Sequence, residues 1–290
     1  MSPARRLREI ITASGLARVM AAHSPLSALL AQEAGFDGVW ASGFELSALY
    51  GLPDASLVTM SQHLDMTRAI AARTSIPIVA DLDTGFGNAV NLFHAIEEYE
   101  RAGVAALVVE DKTFPKMTSL VTDGRQELVR TAEFQGKIAA ARDARKNPDL
   151  VIIARTEALI AGLGLDEALS RAAAYVVAGA DMILVHSKRK TPDEVESFVR
   201  AWTQPVPLVI VPTSYPAMDE ARIRSLGKIG MTIYGNHAVR AAVAAMRDVF
   251  ARIRRDGGAH QVQDLIAPVE EIFRLQRMDE LAAREKAYLR

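Results

Sequence analysis

The chain has 290 residues, half of them hydrophobic, and its 34 basic and 35 acidic side chains leave a formal net charge of −1. So balanced a charge gives no support to a nucleic-acid partner or a polybasic membrane anchor. The lack of cysteine excludes disulfides, zinc–thiolate sites and cysteine nucleophiles. Since no apolar segment has the length of a signal sequence or a membrane span, we expect a cytoplasmic protein.

One pattern recurs along the chain: a short apolar run, a polar loop and a segment with helical periodicity. The runs predict strands at Arg18–His23, Asp37–Ser42, Ile76–Asp83, Ala105–Lys112, Leu150–Thr156, Asp181–His186, Pro207–Thr213 and Lys228–Tyr234. They are nearly continuous rather than alternating, as is typical of parallel strands buried on both faces. Three predicted helices begin at a capping residue and end at a glycine: Ser24 to Gly35, Asn88 to Gly103 and Asp166 to Gly179.

Eight such units predict an α/β fold, a (β/α)₈ barrel that forms a single domain over residues 1–290. From about Leu265, one or two amphipathic helices extend the barrel at its carboxyl end. An open dinucleotide-binding sheet is the alternative. It is disfavoured because the glycine-rich stretch Gly162-Leu-Gly164 lacks its last glycine and follows the fifth strand.

The active site of such a barrel is built where the strands end. Here the ends of strands two to eight carry polar residues in an otherwise apolar context. They are Ser42, Asp81, Asp83, Thr84, Glu110, Asp111, Lys112, Arg155, Thr156, Glu157, His186, Ser187, Thr213, Ser214, Asn236 and His237.

Three carboxylates among them indicate a metal site. Asp81 and Asp83 stand at i and i+2, so both would point to the same side of the third strand, where Glu110 can meet them. Oxygen ligands without thiolates favour Mg²⁺ or Mn²⁺. The alternative is structural: Asp83 caps a turn, and Glu110 pairs with Lys112 or an arginine.

Two cationic or titratable side chains follow the fifth and sixth strands. Arg155 could clamp a carboxylate or phosphonate through two hydrogen bonds, or could form a buried ion pair with Glu157 or Glu110. His186 could donate to a substrate oxygen or carry a proton, or could be a satisfied structural histidine. We expect His63 and His94, which lie in helical segments, to be structural.

Asp81-Leu-Asp83-Thr84 also resembles the DxDxT motif of haloacid-dehalogenase phosphatases, whose first aspartate accepts a phosphoryl group. That motif follows the first strand of an open sheet. Here it follows the third unit of a predicted barrel, which disfavours the match.

Several longer blocks resemble the phosphoenolpyruvate mutase/isocitrate lyase superfamily over about residues 15–240. The blocks are WASGFELSALYGLPD, PIVADLDTGFGNA, VVEDKTFPKMTSL, IIARTEA and ILVHS. The resemblance implies a modified (β/α)₈ TIM barrel whose last helix is exchanged between subunits. It also implies a homotetramer, built as a dimer of dimers.

The loop EDKTFPKMTSL separates branches of this superfamily. Lyases that cleave isocitrate have a KKCGH loop with a catalytic cysteine, which this chain lacks. The loop instead resembles the branch that acts on phosphonopyruvate, either converting it to phosphoenolpyruvate or hydrolysing it to pyruvate and phosphate. Thr118 replaces an asparagine that holds the phosphoryl group in the mutases, which favours hydrolysis. Mutase activity, a carbon–carbon lyase on an oxaloacetate-like substrate, an acid phosphatase and a non-catalytic barrel remain alternatives.

The resemblance also implies roles for the site residues. Asp81 would bind Mg²⁺, or another divalent ion such as Mn²⁺ or Co²⁺, directly; Asp83 and Glu110 would bind it through water. Ser42 and the amides of Gly43 and Phe44 would hold the carboxylate and oxo groups of phosphonopyruvate.

The residues given catalytic roles by the resemblance are Asp54, Lys116, Thr118, Arg155 and His186. Arg155 and His186 would contact phosphonyl or carbonyl oxygens, and Asp54 would lie near the reacting phosphorus. Lys116 and Thr118 belong, with the substrate-binding Ser119, to a mobile loop that closes over the substrate. Water would attack phosphorus directly, or Asp54 would first take the phosphoryl group.

Overall fold

The computed structural model describes residues 1–121 and 124–289. They divide into two compact units, Met1–Ala238 and Val239–Arg290. In the first unit eight parallel strands close into a barrel, in which each strand pairs with the next along the chain and β1 pairs with β8. The strands are β1 Ala17–Ala22, β2 Gly38–Ala41, β3 Ile78–Asp81, β4 Ala106–Glu110, β5 Val151–Thr156, β6 Met182–Val185, β7 Leu208–Ile210 and β8 Ile229–Tyr234. The predicted (β/α)₈ barrel is confirmed.

Helices follow the strands in the expected alternation. In chain order they are α1 Pro3–Ser14, α2 Pro25–Glu33, α3 Gly43–Leu49, α4 Met60–Ala71, α5 Ala89–Arg101, α6 Thr131–Ala144, α7 Gly164–Ala178, α8 Asp193–Ala201, α9 Glu220–Ser225, α10 His237–Asp256, α11 Val269–Gln276 and α12 Met278–Tyr288. Short 3₁₀ helices lie at Pro212–Ser214 and His260–Leu265. Among the described residues, no helix is long and apolar enough to cross a membrane.

The strands are buried on both faces, which accounts for their continuous apolar runs. One set of side chains fills the barrel interior, including Val79, Val108 and Ile153. The alternate set, including Leu107 and Ile152, packs outward beneath the helices. With both sides of every strand in a core, the sheet is a rigid frame for the loops at its carboxyl end.

Two of the three predicted helix starts have the expected caps. Ser24 and Asn88 each form a capping box: the cap side chain accepts the backbone N–H of the third helical residue, and the backbone N–H of the cap donates to that residue's side chain. The third prediction was wrong at its start. Helix α7 begins at Gly164, and Asp166 lies inside its first turn, where a carboxylate favours the helix dipole without capping it. Gly179 does end that helix, in the left-handed conformation.

Six of the eight predicted strands extend one to three residues past the observed carboxyl ends, and the other two end at the predicted residue. One of these differences affects the site. The run Ile76–Asp83 ends as a strand at Asp81, and Asp83 has a φ of +50°. A left-handed residue leaves the pleat, so the argument that Asp81 and Asp83 share a strand face is wrong.

The second unit is helical. No residue of α10 is buried, and its apolar side chains include Val243, Met246, Phe250 and Ile253, which are exposed. Helices α11 and α12 confirm the predicted one or two helices beyond about Leu265. The single domain over 1–290 stays a prediction, as does exchange of the last barrel helix.

Candidate active site

A cavity of about 60 Å³ opens at the carboxyl ends of the strands. Nine of the twelve site residues predicted from the sequence line it, and the other three contact those nine. The lining residues are Trp40, Ser42, Phe44, Asp54, Asp81, Lys116, Thr118, Ser119, Leu120, Arg155, His186, Val211, Thr213, Ile233, Gly235 and Asn236. The predicted residues behind this surface are Gly43, Asp83 and Glu110.

Asp81 and Asp83 do meet, although not through strand alternation. A side chain on Gly43 would place its Cβ 3.0 Å from Asp83 Oδ1 and 3.4 Å from Asp81 Oδ2, so the two carboxylates converge where only glycine leaves room. The Gly43 N–H donates to Asp81 Oδ2 at 3.2 Å, and the Asp83 N–H donates to Asp81 Oδ1 at 3.4 Å. The turn after β3 thus brings both acids to the start of α3.

Lys116 reaches into this acidic group from the loop after β4. Its Nζ lies 2.6 Å from Asp83 Oδ1 and 3.0 Å from Asp54 Oδ1, and its side chain is 6% exposed. Burial alone would lower the pKa of Lys116, but Asp83 and Asp54 outweigh it and hold that pKa well above its usual range. Lys116 is therefore a cation that joins the loop after β2 to the turn after β3.

The acids carry more charge than the neighbouring cations neutralise. Burial raises the pKa of Asp81, against the pull of Lys116 and Arg155. Burial also raises the pKa of Asp83 to about 7. When all are ionised, the five carboxylates of the site face three cations, an excess of two negative charges. The carboxylates belong to Asp54, Asp81, Asp83, Glu110 and Glu157, and the cations to Lys112, Lys116 and Arg155.

This excess bears on the predicted divalent ion. Glu110 Oε1 is buried and has no hydrogen-bond partner among the described residues, so one carboxylate oxygen there is unsatisfied. Within the same part of the chain, no three His, Cys, Asp or Glu residues are grouped closely enough to form a complete metal cage. A site with few direct protein ligands, net negative charge and only oxygen donors fits Mg²⁺, which usually keeps several waters.

Ser42 ends β2 and caps α3, accepting the Glu45 N–H at 3.2 Å. An accepting hydroxyl keeps its own proton, and Ser42 can therefore donate into the cavity that it lines. His63 contacts the end of β2 next to Ser42. Its Nε2 lies 3.1 Å from the Ala41 carbonyl and its Nδ1 lies 2.7 Å from the Tyr99 hydroxyl. His63 is thus the structural histidine predicted from the sequence.

Arg155 stands at the end of β5, with its guanidinium held on two sides. Nε lies 2.6 Å from Glu157 Oε1 and 3.3 Å from Glu110 Oε2, so the buried ion pair that was the alternative to a substrate clamp is present, and with both glutamates. Nη2 donates to Ser119 Oγ and to His186 Nδ1, each at 3.0 Å. Nη1 makes no hydrogen bond with the described residues, so the clamped guanidinium keeps donors for a ligand in the cavity.

His186 directly follows β6 and is buried beside Arg155. Because Nδ1 accepts from the guanidinium, the proton of the neutral ring is on Nε2. Burial lowers the pKa of His186, with Arg155 adding to the effect and Glu157 opposing it. The ring is consequently neutral at pH 7 and can act as a hydrogen-bond donor.

From the sequence, Lys112 and Glu157 are expected only as strand-end residues and as possible partners of Glu110 and Arg155, yet both are central to the site. Lys112 is 1% exposed and Glu157 is fully buried, and their charged atoms lie 3.1 Å apart. Burial would raise the pKa of Glu157, but Arg155 and Lys112 hold it well below its usual range. The sequence does indicate that charged residues directly after buried strands are paired, because an unpaired buried charge is costly. Which residues form the pairs can be seen only in the folded structure.

The chain is similar to known proteins over nearly its whole length. A family model for phosphoenolpyruvate phosphomutase matches residues 7–254. Over 290 residues the chain is 58% identical to a phosphonopyruvate hydrolase of Variovorax sp. (strain Pal2), covering 100% of both chains. It is 43% identical to a phosphoenolpyruvate phosphomutase of Tetrahymena pyriformis, covering 98% of this chain and 94% of that one.

A crystal structure of phosphonopyruvate hydrolase in complex with oxalate and Mg²⁺ is similar to this fold with a TM-score of 0.95 and 56% identity. The similarity covers 100% of both chains.

Proposed function

Because the chain belongs to the phosphoenolpyruvate phosphomutase family, we propose that it is the hydrolase of that family, converting phosphonopyruvate and water to pyruvate and phosphate. The observation that carries the proposal is the 58% identity, over the whole chain, to a phosphonopyruvate hydrolase, against 43% to a mutase. Thr118, where the mutases have asparagine, supports the same choice.

We propose that three side chains hold phosphonopyruvate. Ser42 offers a hydroxyl proton at the start of α3 for the carboxylate or oxo oxygen, beside the amide of Phe44. The Gly43 amide donates to Asp81 in this structure. Arg155 offers the free edge of a guanidinium that Glu157 and Glu110 hold in place. His186, neutral and protonated on Nε2, donates to a phosphonyl or carbonyl oxygen.

The reaction breaks the bond between C3 of pyruvate and phosphorus. The bonding electrons stay on C3 and form the enolate, an oxygen from water bonds to phosphorus, and C3 takes up a proton. Hydrogen-bond donors preset around the enolate oxygen and the phosphoryl oxygens lower this barrier because they need not reorganise. Attack by water directly, or after transfer to Asp54, gives the same products.

Asp81 is proposed to hold Mg²⁺ directly, with Asp83 and Glu110 acting through water, and Mn²⁺ or Co²⁺ as substitutes. The excess negative charge of the site and the unsatisfied Glu110 Oε1 support a divalent cation there. When bound, the ion supplies positive charge that offsets the charge developing on the pyruvate oxygens.

The loop after β4 completes the site. Lys116 neutralises Asp54 and Asp83, and it can do so only when the loop lies over the cavity. Thr118 lines the cavity with a short hydroxyl side chain, so there is room for a water molecule that a longer amide would exclude. Closing the loop shields the reaction from bulk solvent while Thr118 leaves space for the attacking water.

We further propose a cytoplasmic homotetramer, arranged as a dimer of dimers, with α10 exchanged between subunits. The exposed apolar side chains of α10 support self-association, because monomeric proteins rarely leave so continuous an apolar face in water. Light scattering of the purified protein tests the assembly. A monomer mass would contradict it, and replacing Phe250 and Met246 with lysine should dissociate the subunits.

A substrate panel tests the function. Purified protein with Mg²⁺ is given phosphonopyruvate, phosphoenolpyruvate, oxaloacetate or a phosphate monoester, while pyruvate and phosphate are measured. Equal amounts of pyruvate and phosphate from phosphonopyruvate alone support the hydrolase. Phosphoenolpyruvate from phosphonopyruvate indicates the mutase, turnover of oxaloacetate a lyase, and release from the monoester a phosphatase. No turnover of any compound indicates a non-catalytic barrel.

A further inference from the structure

We propose that Lys112 is a positioning residue that latches the gate closed through the hydroxyl of Ser119. The gate is defined as residues 113–121, the described part of the loop after β4 that covers the cavity. Only the expected effect on turnover of phosphonopyruvate rests on the proposed hydrolase function, because the latch itself can be measured without substrate.

Lys112 is a buried ammonium whose partners lie mainly on the gate. Nζ donates to the Met117 carbonyl and to Ser119 Oγ, both at 2.7 Å, and lies 3.1 Å from Glu157 Oε2. Its side chain is 2% exposed, so these contacts replace water. An ammonium has three protons, and three partners use all of them. Lys112 itself follows β4 and therefore provides a fixed attachment point.

Ser119 is the matching half of the latch. Its Oγ receives protons from Lys112 and from Arg155, which lie 2.7 Å and 3.0 Å away, and donates its own proton to Glu157 Oε2 at 2.5 Å. A hydroxyl has one proton and two lone pairs, so its capacity is filled by protein groups. In the closed gate Ser119 therefore has no hydrogen bond to give to phosphonopyruvate. The proposed latch would take the place of the substrate-binding role that the resemblance implies for Ser119.

Opening the gate would break these contacts together. Lys112 would lose two of its three partners, and Arg155 Nη2 would lose one of two, keeping His186. Arg155 would then be less tightly held at the time when substrate enters. When the gate closes, Lys112 holds Ser119, and Ser119 in turn holds Arg155 in position for the phosphonyl or carbonyl oxygens.

Cleavage by a lysine-specific endoprotease measures the latch without substrate. The bond after Lys116 can be cut only when the gate opens, because Lys116 Nζ is buried between Asp54 and Asp83. Lys190 is exposed and provides a reference site in the same sample. When opening is fast relative to cutting, the rate ratio reports the population of the open gate.

We expect Lys112→Met and Ser119→Ala to accelerate cleavage after Lys116 about 10- to 100-fold, the size expected for a lost charged hydrogen bond. The double variant should be no faster than the faster single variant, because both changes break one latch. Ser119→Thr, which keeps the hydroxyl, should restore slow cleavage. Lys228→Met is the matched control: this lysine donates to the Arg200 and Trp202 carbonyls beyond the amino ends of the strands, and its loss should leave the ratio unchanged.

Unchanged cleavage after Lys116 in both single variants would overturn the latch, as would accelerations that multiply in the double variant. If Lys112→Met does not fold, Lys112→Gln and Ser119→Ala carry the same test. In the kinetics, Ser119→Ala should lower kcat/KM for phosphonopyruvate, with recovery in Ser119→Thr. If the wild type releases no phosphate from phosphonopyruvate, the proposed function fails, but the cleavage ratios still decide whether the latch exists.

Discussion

Lys116 Nζ lies 2.6 Å from Asp83 Oδ1, and this contact joins the gate to the acidic side of the site. The same ammonium lies 3.0 Å from Asp54 Oδ1. One side chain therefore neutralises two acids that come from different loops, and under the proposed gating it would leave both of them when the gate opens. Opening of the proposed gate would thus change the charge balance of the site.

Removing the charge of Lys116 should lower activity through the site, without unfolding the protein. We expect Lys116→Met to lower kcat/KM at least about 100-fold, because Asp54 and Asp83 lose their common partner and the gate is misplaced. Lys188→Met, at an exposed loop position, serves as the control and should be normal. Steady-state phosphate release measures both. Full activity of Lys116→Met would show that this lysine is dispensable.

Asp81 should determine metal binding. In Asp81→Ala, we expect activity to be lost together with any rise in Tm on adding MgCl₂, since the direct ligand is gone. Glu110→Gln should reduce the apparent metal affinity by about 10- to 100-fold, the effect of an outer partner. Thermal unfolding with and without Mg²⁺ distinguishes the two. A wild-type Mg²⁺ response in Asp81→Ala would assign the metal elsewhere.

The fold could be predicted from the sequence because strands that are buried on both faces appear there as continuous apolar runs. Continuous apolar runs such as Leu150–Thr156 lie within one residue of the observed strand. The predictions extended too far where a strand ends in functional residues, as after Asp81. There the chain takes the left-handed conformation at Asp83, and periodicity contains no information about such a turn.

For the site, the sequence identified which residues gather at the barrel mouth but not their pairing. Arg155, His186 and Asp81 stand at strand ends, and a barrel brings such ends together. The contact of Ser119 with Lys112 depends on the path of the gate, which no local pattern encodes. Glu157 was expected only as an alternative partner of Arg155, yet it also binds Ser119 and Lys112.

His63 should make the protein less stable in acid. Burial lowers its pKa to about 4, against an ordinary value of about 6.5. Between these values the unfolded chain binds a proton that the folded chain does not, so stability falls as pH falls from about 6.5 to about 4, by about 3 kcal/mol in total. Urea unfolding from pH 7 to pH 4 measures this.

The control for that measurement is His63→Gln, which keeps polar atoms near Tyr99 and Ala41 but cannot titrate. We expect lower stability at pH 7 and a shallower decline toward pH 4 than in the wild type. An equally steep decline in both proteins would assign the acid sensitivity to other groups.

Thr118 should govern access of water. We expect Thr118→Asn to depress phosphate release far more than it raises KM, because the longer amide takes the space of the attacking water while the rest of the site still binds substrate. A displacement of about 1 Å can cost about 100-fold in rate. At most traces of phosphoenolpyruvate should form. Thr118→Ser and Thr118→Ala complete the set, and near-normal rates in all three would refute a role for this residue.

The central claim is that this chain cleaves the carbon–phosphorus bond and delivers phosphorus to water. Phosphorus NMR of phosphonopyruvate with the purified protein and Mg²⁺, recorded from the first turnovers onward, follows substrate, phosphate and phosphoenolpyruvate together. We expect the phosphonate signal to be replaced by that of inorganic phosphate alone, and the spectrum of an Asp81→Ala sample to stay unchanged. A phosphoenolpyruvate signal that grows while phosphate stays absent would contradict it.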